Sequence, residues 1–193
     1  MYRIETLHGR TMPVATGVKL ANHALTVMVN GGDGDGMGLG MGHFVHTARR
    51  NLDLSYFIHN NQIYGLTKGQ SSPTSELGAV TKFSPAPLGN VEQPINIVRL
   101  ALSVGATFVA RSYAGDINHL SALMVAAVRH KGFAVVDILQ PCVSFNKLNS
   151  YEWYQKRIYH LEKQDNYDPA NLQQALQVGA EWGEKIPVGL FFQ

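Results

Sequence analysis

An aspartate set in a run of glycines, followed after a short spacer by two consecutive asparagines, offers oxygen donors suited to a divalent cation and a phosphate. The aspartate is Asp33, in VMVNGGDGDGMGLGMG, and the asparagines are Asn60 and Asn61, in IHNNQIYGLTKG. Mg2+ takes about six oxygen ligands near octahedral geometry and is usually held by one or two protein groups plus substrate phosphates. Asp33 supplies a carboxylate and Asn61 an amide oxygen. Gly31, Gly32, Gly34 and Gly36 let backbone N–H groups approach phosphate oxygens, and a helix after them directs its N-terminal dipole at the same anion. Other glycine-rich sites are excluded by the letters. No window fits G-x-G-x-x-G, no Gly-Lys-Ser/Thr follows to make a P-loop, and an EF-hand starting at Asp33 has Phe44 where glutamate is required.

These donors must be brought together by the elements around them. The run Ala24 to Asn30 has strand character, Leu39 to Arg50 has the pattern of a helix, and Leu54 to His59 is again strand-like. A strand-helix-strand unit of this kind is almost always right-handed with parallel strands, so the turn at Asp33 and the turn at Asn61 lie side by side at the carboxyl edge of the sheet. The pattern predicts further helices at Met12 to Ala21, Pro94 to Val104 and Ile117 to His130, and strands at Ala106 to Arg111 and Phe133 to Ile138. Tyr151 to Lys163 and Asn171 to Trp182 read as surface helices, and Val188 to Phe192 as a last strand. The fold class is α/β, a parallel sheet with helices on both faces. The stretch Asn60 to Asn90 reads as a long polar loop, a length commonly reserved for function.

With 193 residues the chain is the size of one domain and can bury about 70% of its unfolded surface. The sequence contains no apolar run long enough to span a membrane and no apolar leader after MYRIETLHGR, which points to a cytoplasmic protein. A net charge of +2 without basic clusters excludes a nucleic-acid partner. One cysteine excludes an internal disulfide.

The stretch Gly32-Asp33-Gly34, then Asn60-Asn61 after 25 residues, resembles the thiamine diphosphate motif. More narrowly, TLHGRTMPVATGVKLAN, GGDGDGMGLGMGHFVHTARRN, NNQIYGLTKGQSSPTS and DILQPCVSFN resemble the beta subunit of the 2-oxoacid:ferredoxin oxidoreductases, the pyruvate and 2-oxoglutarate synthase group. The resemblance runs over nearly the whole chain. It implies a thiamine diphosphate-binding domain over 1–193, lacking an N-terminal cysteine-bearing segment and a C-terminal extension that beta subunits typically carry. It also implies oxidative decarboxylation of a 2-oxoacid, 2-oxoglutarate or pyruvate, to acyl-coenzyme A and CO2 with reduction of ferredoxin, in complex with an alpha subunit whose glutamate activates the cofactor. Two rivals stand beside this reading: a catalytically silent or incomplete cofactor-binding subunit, and another thiamine diphosphate-dependent decarboxylase.

On this resemblance Asp33, Asn61 and the backbone carbonyl of Ile63 hold Mg2+, while Gly32, Gly34, Asp35, Gly65 and Leu66 contact thiamine diphosphate through backbone groups or packing. Asp35 has an alternative, capping the helix that follows. Lys68 either pairs with a substrate carboxylate or is a solvated loop lysine, and the family commonly has glycine there. Cys142, in QPCVSFN, is the last ligand of a [4Fe-4S] cluster in an intact protein; four thiolates are ordinarily needed, so the missing segment must supply the others. His8 matches a family position near the cofactor, or simply packs before a helix. His43, His46, His59, His119, His130 and His160 show no metal-ligand spacing, and no zinc site is expected from them.

Overall fold

The computed structural model describes residues 2–193. Helix α1 (Thr11–Ala21) leads into strand β1 (Met28–Gly32), and a π-helical turn (Asp35–Leu39) precedes α2 (Met41–Arg50). Strand β2 (Leu54–Asn60) ends at the asparagine pair, and a short hairpin follows, β3 (Ile63–Tyr64) with β4 (Gln70–Ser71). Then come α3 (Ile97–Ser103), β5 (Phe108–Tyr113), α4 (Ile117–Arg129) and β6 (Phe133–Leu139). The chain finishes with α5 (Tyr151–Gln155), β7 (Ile158–His160), a 3-10 turn (Leu161–Lys163), α6 (Leu172–Val178) and β8 (Ile186–Phe192).

The strand order is β1-β2-β6-β5-β8-β7. The first four strands are parallel, and β5 and β6 are buried along their whole lengths, which is why FVARSY and FAVVDIL lack the alternation of a half-exposed strand. Helices cover both faces: Met12, Phe44 and Val98 pack on one side with Tyr56 and Phe133, while Leu120 and Leu123 of α4 pack on Phe57 and Val136 on the other. Asn96, Asp116, Ser150 and Asn171 cap α3, α4, α5 and α6, each accepting a hydrogen bond from the N–H three residues on. Helix α2 stops at Asn51, which takes the left-handed conformation (φ 47°) and accepts from Phe133 N–H at 2.7 Å.

Three expectations need correction. The helix expected over Tyr151 to Lys163 ends at Gln155, because Ile158–His160 pairs with Ile186–Val188 and that pairing overrides local helical pattern. Strand β8 runs antiparallel to β5, so the sheet is mostly parallel. The stretch Asn60 to Asn90 is more than a loop, since it contains the β3-β4 hairpin. It is also anchored internally by Asn90, which donates to the carbonyls of Ser75, Glu76 and Glu92.

Candidate functional site

Because β1 and β2 are parallel, with Gly32 beside His59, the chain emerging from β1 at Asp33 meets the chain emerging from β2 at Asn61. Asn61 N–H lies 3.4 Å from Asp33 Oδ1. Asp33 is buried (2% exposed), and its Oδ2 accepts from Ser72 Oγ at 2.6 Å and Thr74 Oγ1 at 2.5 Å. The carboxylate is thus fixed through Oδ2, while Oδ1 retains lone pairs. Burial pushes its pKa up from the ordinary value, against the opposing pull of Ser72, Thr74 and Asn61 N–H. Asn61 Oδ1 accepts from Ile63 N–H at 3.1 Å, holding the amide oxygen on the same side as the Ile63 backbone. An anionic oxygen, an amide oxygen and a neighbouring carbonyl are the donor chemistry of a hard cation, so these residues fit Mg2+.

The glycines shape the wall of this pocket. A Cβ on Gly34 would enter the Tyr64 ring, whose hydroxyl donates to the Gly34 carbonyl at 3.0 Å, whereas a Cβ on Gly32 would meet open space. The Tyr56 hydroxyl lies beneath Gly31 and, among the described residues, has no hydrogen-bond partner. Burial, with Asp35 and Asp33 nearby, pushes the Tyr56 phenol well above its ordinary value, so it is a standing O–H donor.

Asp35 does not cap α2. Its carboxylate accepts from Gly9 N–H at 2.6 Å and Thr11 Oγ1 at 3.0 Å, which docks the turn at His8 against the glycine-rich segment. His8 Nδ1 lies 3.4 Å from Asp35 Oδ1, and its ring is 5.9 Å from that of Tyr64. The helical element next to Asp33 is the π turn, kinked at Gly38, and α2 begins at Met41, two residues after the expected start at Leu39. Leu66 is 98% exposed at the tip of the hairpin. Lys68 is exposed in the same turn with φ 77°, a region that favours glycine. Gly65 lies against Cys142, whose Sγ is 3.5 Å from a Cβ built there, so Cys142 sits beside the hairpin.

Behind the cradle runs a buried polar network that the spacing of the motif did not disclose. Asn60 donates through Nδ2 to Asp137 Oδ1 at 3.0 Å, and Arg111 Nε donates to Asp137 Oδ2 at 2.8 Å. Both charged residues lie in central strands at about 1% exposure. The Arg111 guanidinium stacks over Trp182 and Phe191. Gln62 accepts from Tyr154 Oη at 2.7 Å and donates to the Thr74 carbonyl. Ser72, Thr74 and Gln62 all belong to NNQIYGLTKGQSSPTS. A cluster of short hydroxyl side chains so close to a candidate metal carboxylate is the signal that could have found them.

Comparison with known proteins adds to this geometry. The family described as thiamine pyrophosphate enzyme, C-terminal TPP binding domain, matches residues 2–138. The family described as pyruvate ferredoxin oxidoreductase beta subunit, C terminal, matches residues 142–193. A 2-oxoacid:ferredoxin oxidoreductase subunit beta from Saccharolobus solfataricus is 47% identical over 98% of this chain and 65% of its own length. The 2-oxoglutarate oxidoreductase subunit KorB from Mycobacterium tuberculosis is 48% identical over 75% of this chain and 38% of its own length. Among solved structures, 2-oxoglutarate:ferredoxin oxidoreductase from Magnetococcus marinus, with 2-oxoglutarate, coenzyme A and succinyl-CoA bound, superposes with a TM-score of 0.94 at 38% identity. That match covers 100% of this chain and 65% of the other. The chain therefore spans at most about two thirds of the length of these relatives.

Proposed function

The chain belongs to the thiamine diphosphate enzymes and, within them, to the beta subunits of the 2-oxoacid:ferredoxin oxidoreductases; from that premise we propose that it builds the Mg2+-diphosphate half of a 2-oxoacid oxidoreductase active site. In this reading Asp33 Oδ1, Asn61 Oδ1 and the Ile63 carbonyl hold Mg2+. The Ser72 and Thr74 hydroxyls fix the Asp33 rotamer so that Oδ1, which retains lone pairs, faces the cation. The backbones of Gly32, Gly34 and Asp35 approach the diphosphate, and Gly65 and Leu66 pack against the rest of the cofactor. Thiamine diphosphate supplies the carbon nucleophile and electron sink for decarboxylation, and the protein supplies binding and orientation. An alpha subunit contributes the remaining half of the site, including the acid that activates the aminopyrimidine.

Cys142 gives one thiolate of a [4Fe-4S] cluster whose other ligands come from outside this chain, which has a single cysteine. Electrons pass to ferredoxin and the acyl group to coenzyme A, in the cytoplasm. Lys68 meets the distal carboxylate of a dicarboxylic substrate, which favours 2-oxoglutarate over pyruvate. The observation that carries the reading is the convergence of Asp33 and Asn61, with one Asp33 oxygen fully engaged by hydroxyls and the other retaining lone pairs.

The test is calorimetric titration of thiamine diphosphate into the chain in complex with its alpha partner, with and without Mg2+, on wild type, Asp33→Ala and Asn61→Ala. Mg2+-dependent binding that both variants lose is the expected result. Ligand at 100 times its Kd stabilises a fold by about 2.7 kcal/mol, so a melting shift of that origin also disappears. Binding that ignores Mg2+ or survives both substitutions overturns the cation site. The same complex should reduce ferredoxin with 2-oxoglutarate and coenzyme A; release of aldehyde without electron transfer would place it among the other decarboxylases.

A further inference from the structure

We propose that Asp116, His119 and His160 form a second divalent-cation site, of the zinc class, on the α4 side of the sheet and separate from the cradle at Asp33. Their donor atoms all lie within 4.8 Å of one another. His160 Nε2 is 3.8 Å from Asp116 Oδ2, and the two imidazoles meet edge to face with centroids 4.7 Å apart. Around tetrahedral Zn2+, with bonds of about 2.0–2.1 Å, donors stand about 3.3 Å apart, so small side-chain rotations close the set. Two imidazoles and a carboxylate select a zinc-class ion over Mg2+ or Ca2+, which prefer all-oxygen shells.

Each member is already held for the task. Asp116 caps α4 through Oδ1, which accepts from His119 N–H at 3.2 Å, and this leaves Oδ2 turned toward His160. His119 Nδ1 pairs with Ser112 Oγ at 2.9 Å, which fixes the ring and directs Nε2 into the cluster. That Nε2 is buried, and its nearest partner is the Glu162 carboxylate at 3.5 Å, too far for a well-formed hydrogen bond. An imidazole fixed through one nitrogen by a hydroxyl, with the other turned into a cluster of carboxylate and imidazole donors, is the second-shell arrangement of a metal-bound histidine. His160 ends β7 beside Val188 of β8.

A second carboxylate flanks the set at His119. Glu162 Oε1 lies 3.5 Å from His119 Nε2 and accepts from Leu190 N–H at 3.2 Å. A Cβ at Gly189 would stand 2.6 Å from Glu162 Oε1, so β8 has a glycine where this carboxylate crosses it. Glycine inside a strand commonly marks such a close approach.

The test uses the full chain in its complex, stripped with EDTA and returned to millimolar Mg2+ with thiamine diphosphate. Zn2+ is then titrated against a chromophoric chelator. The expected result is one equivalent of Zn2+ bound per chain, with affinity falling about a hundredfold or more in His119→Gln and His160→Gln. Ser112→Ala should weaken it about tenfold while leaving the circular dichroism spectrum unchanged, which covers the case in which a histidine variant fails to fold. Co2+ in place of Zn2+ should give tetrahedral visible absorption that Asp116→Asn alters and Asp33→Asn does not. Absence of saturable Zn2+ binding, or equal binding by wild type, both histidine variants and Ser112→Ala, would overturn the proposal and leave the cluster a set of His-carboxylate ion pairs.

Discussion

Around Asp33 the polar partners come from the turns that leave β1 and β2 and from the hairpin immediately after, whereas beyond Cys142 the polar side chains reach back across the fold. Ser72, Thr74 and Asn61 surround Asp33 in the first region. In the second, Tyr154 reaches Gln62, Asn149 and Trp182 both reach Glu76, and Asn146 donates to the Asn61 carbonyl. The first region assembles its oxygen donors from its own loops. The second also clamps those loops from behind, through Asn146, Asn149, Tyr154 and Trp182. A cofactor cradle and a structural clamp therefore divide between the two stretches that the two family descriptions match.

Asp137 is where the two meet, and removing it should break the division most severely. Its carboxylate accepts from Asn60 of the cradle and from Arg111, which stacks on Trp182 and Phe191 of the clamp. Asp137→Ala leaves a buried guanidinium unpaired, an error that costs about 3–5 kcal/mol. Denaturant unfolding should show that loss, and a double variant, Arg111→Leu with Asp137→Leu, should recover most of it. If Asp137→Ala unfolds like wild type, the pair is not what joins the regions.

Asp33→Asn tests the cradle alone. Burial holds the Asp33 pKa above its ordinary 3.8, so the metal-free fold binds this proton more tightly than the unfolded chain does. Its contribution to stability is then full below about pH 3.8 and declines as pH rises through the folded value. Asn keeps the size and shape of the side chain without the charge, though its amide nitrogen replaces one of the two accepting oxygens. The variant should flatten this decline in metal-free protein and lose the gain of about 2.7 kcal/mol that Mg2+ and thiamine diphosphate give at 100 times Kd. Unfolding at several pH values, with and without cofactor, checks both signs.

The central strands were legible because β5 and β6 are buried on both faces and are mostly apolar, without the alternation of a half-exposed strand, although Arg111, Ser112 and Asp137 interrupt them. The meeting of Asp33 and Asn61 was legible because a parallel β-α-β unit permits one arrangement only. Ser72 and Thr74 were visible as letters, but no periodicity places a hydroxyl on a particular carboxylate. The clamp was read least well: in YEWYQKRIYHLEK the helical pattern continues past Gln155, and only pairing with β8 makes Ile158–His160 a strand. The same pairing brings His160 to His119, which sequence spacing had kept apart.

Tyr154→Phe sharpens the comparison by loosening the clamp at one atom. Tyr154 Oη donates to Gln62 Oε1 in a buried setting, and leaving that amide oxygen without a donor costs about 1–3 kcal/mol. The variant should lose stability in denaturant unfolding and weaken Mg2+-thiamine diphosphate binding less than Asn61→Ala does, since it disturbs the turn from behind and removes no oxygen that faces the cation. Equal losses of affinity would mean that the clamp and the cradle are one unit.

The smallest effect is expected at Lys68, where the cradle departs from what backbone energetics favour. A lysine at φ 77° forgoes about 1 kcal/mol that glycine would recover, and its side chain is exposed, with no packing to offset the strain. Lys68 N–H closes the turn onto the Gly65 carbonyl at 3.1 Å, and a glycine donates the same bond. Lys68→Gly should therefore raise the unfolding free energy by about 1 kcal/mol. If the side chain pairs with a substrate carboxylate, the gain in stability comes with a higher KM for 2-oxoglutarate and an unchanged KM for pyruvate. A stabilised variant whose KM values for the two acids move together would make Lys68 a solvated turn residue and return the choice of substrate to other parts of the complex. The split between the two acids is the informative quantity, because a purely structural change in the hairpin moves both alike.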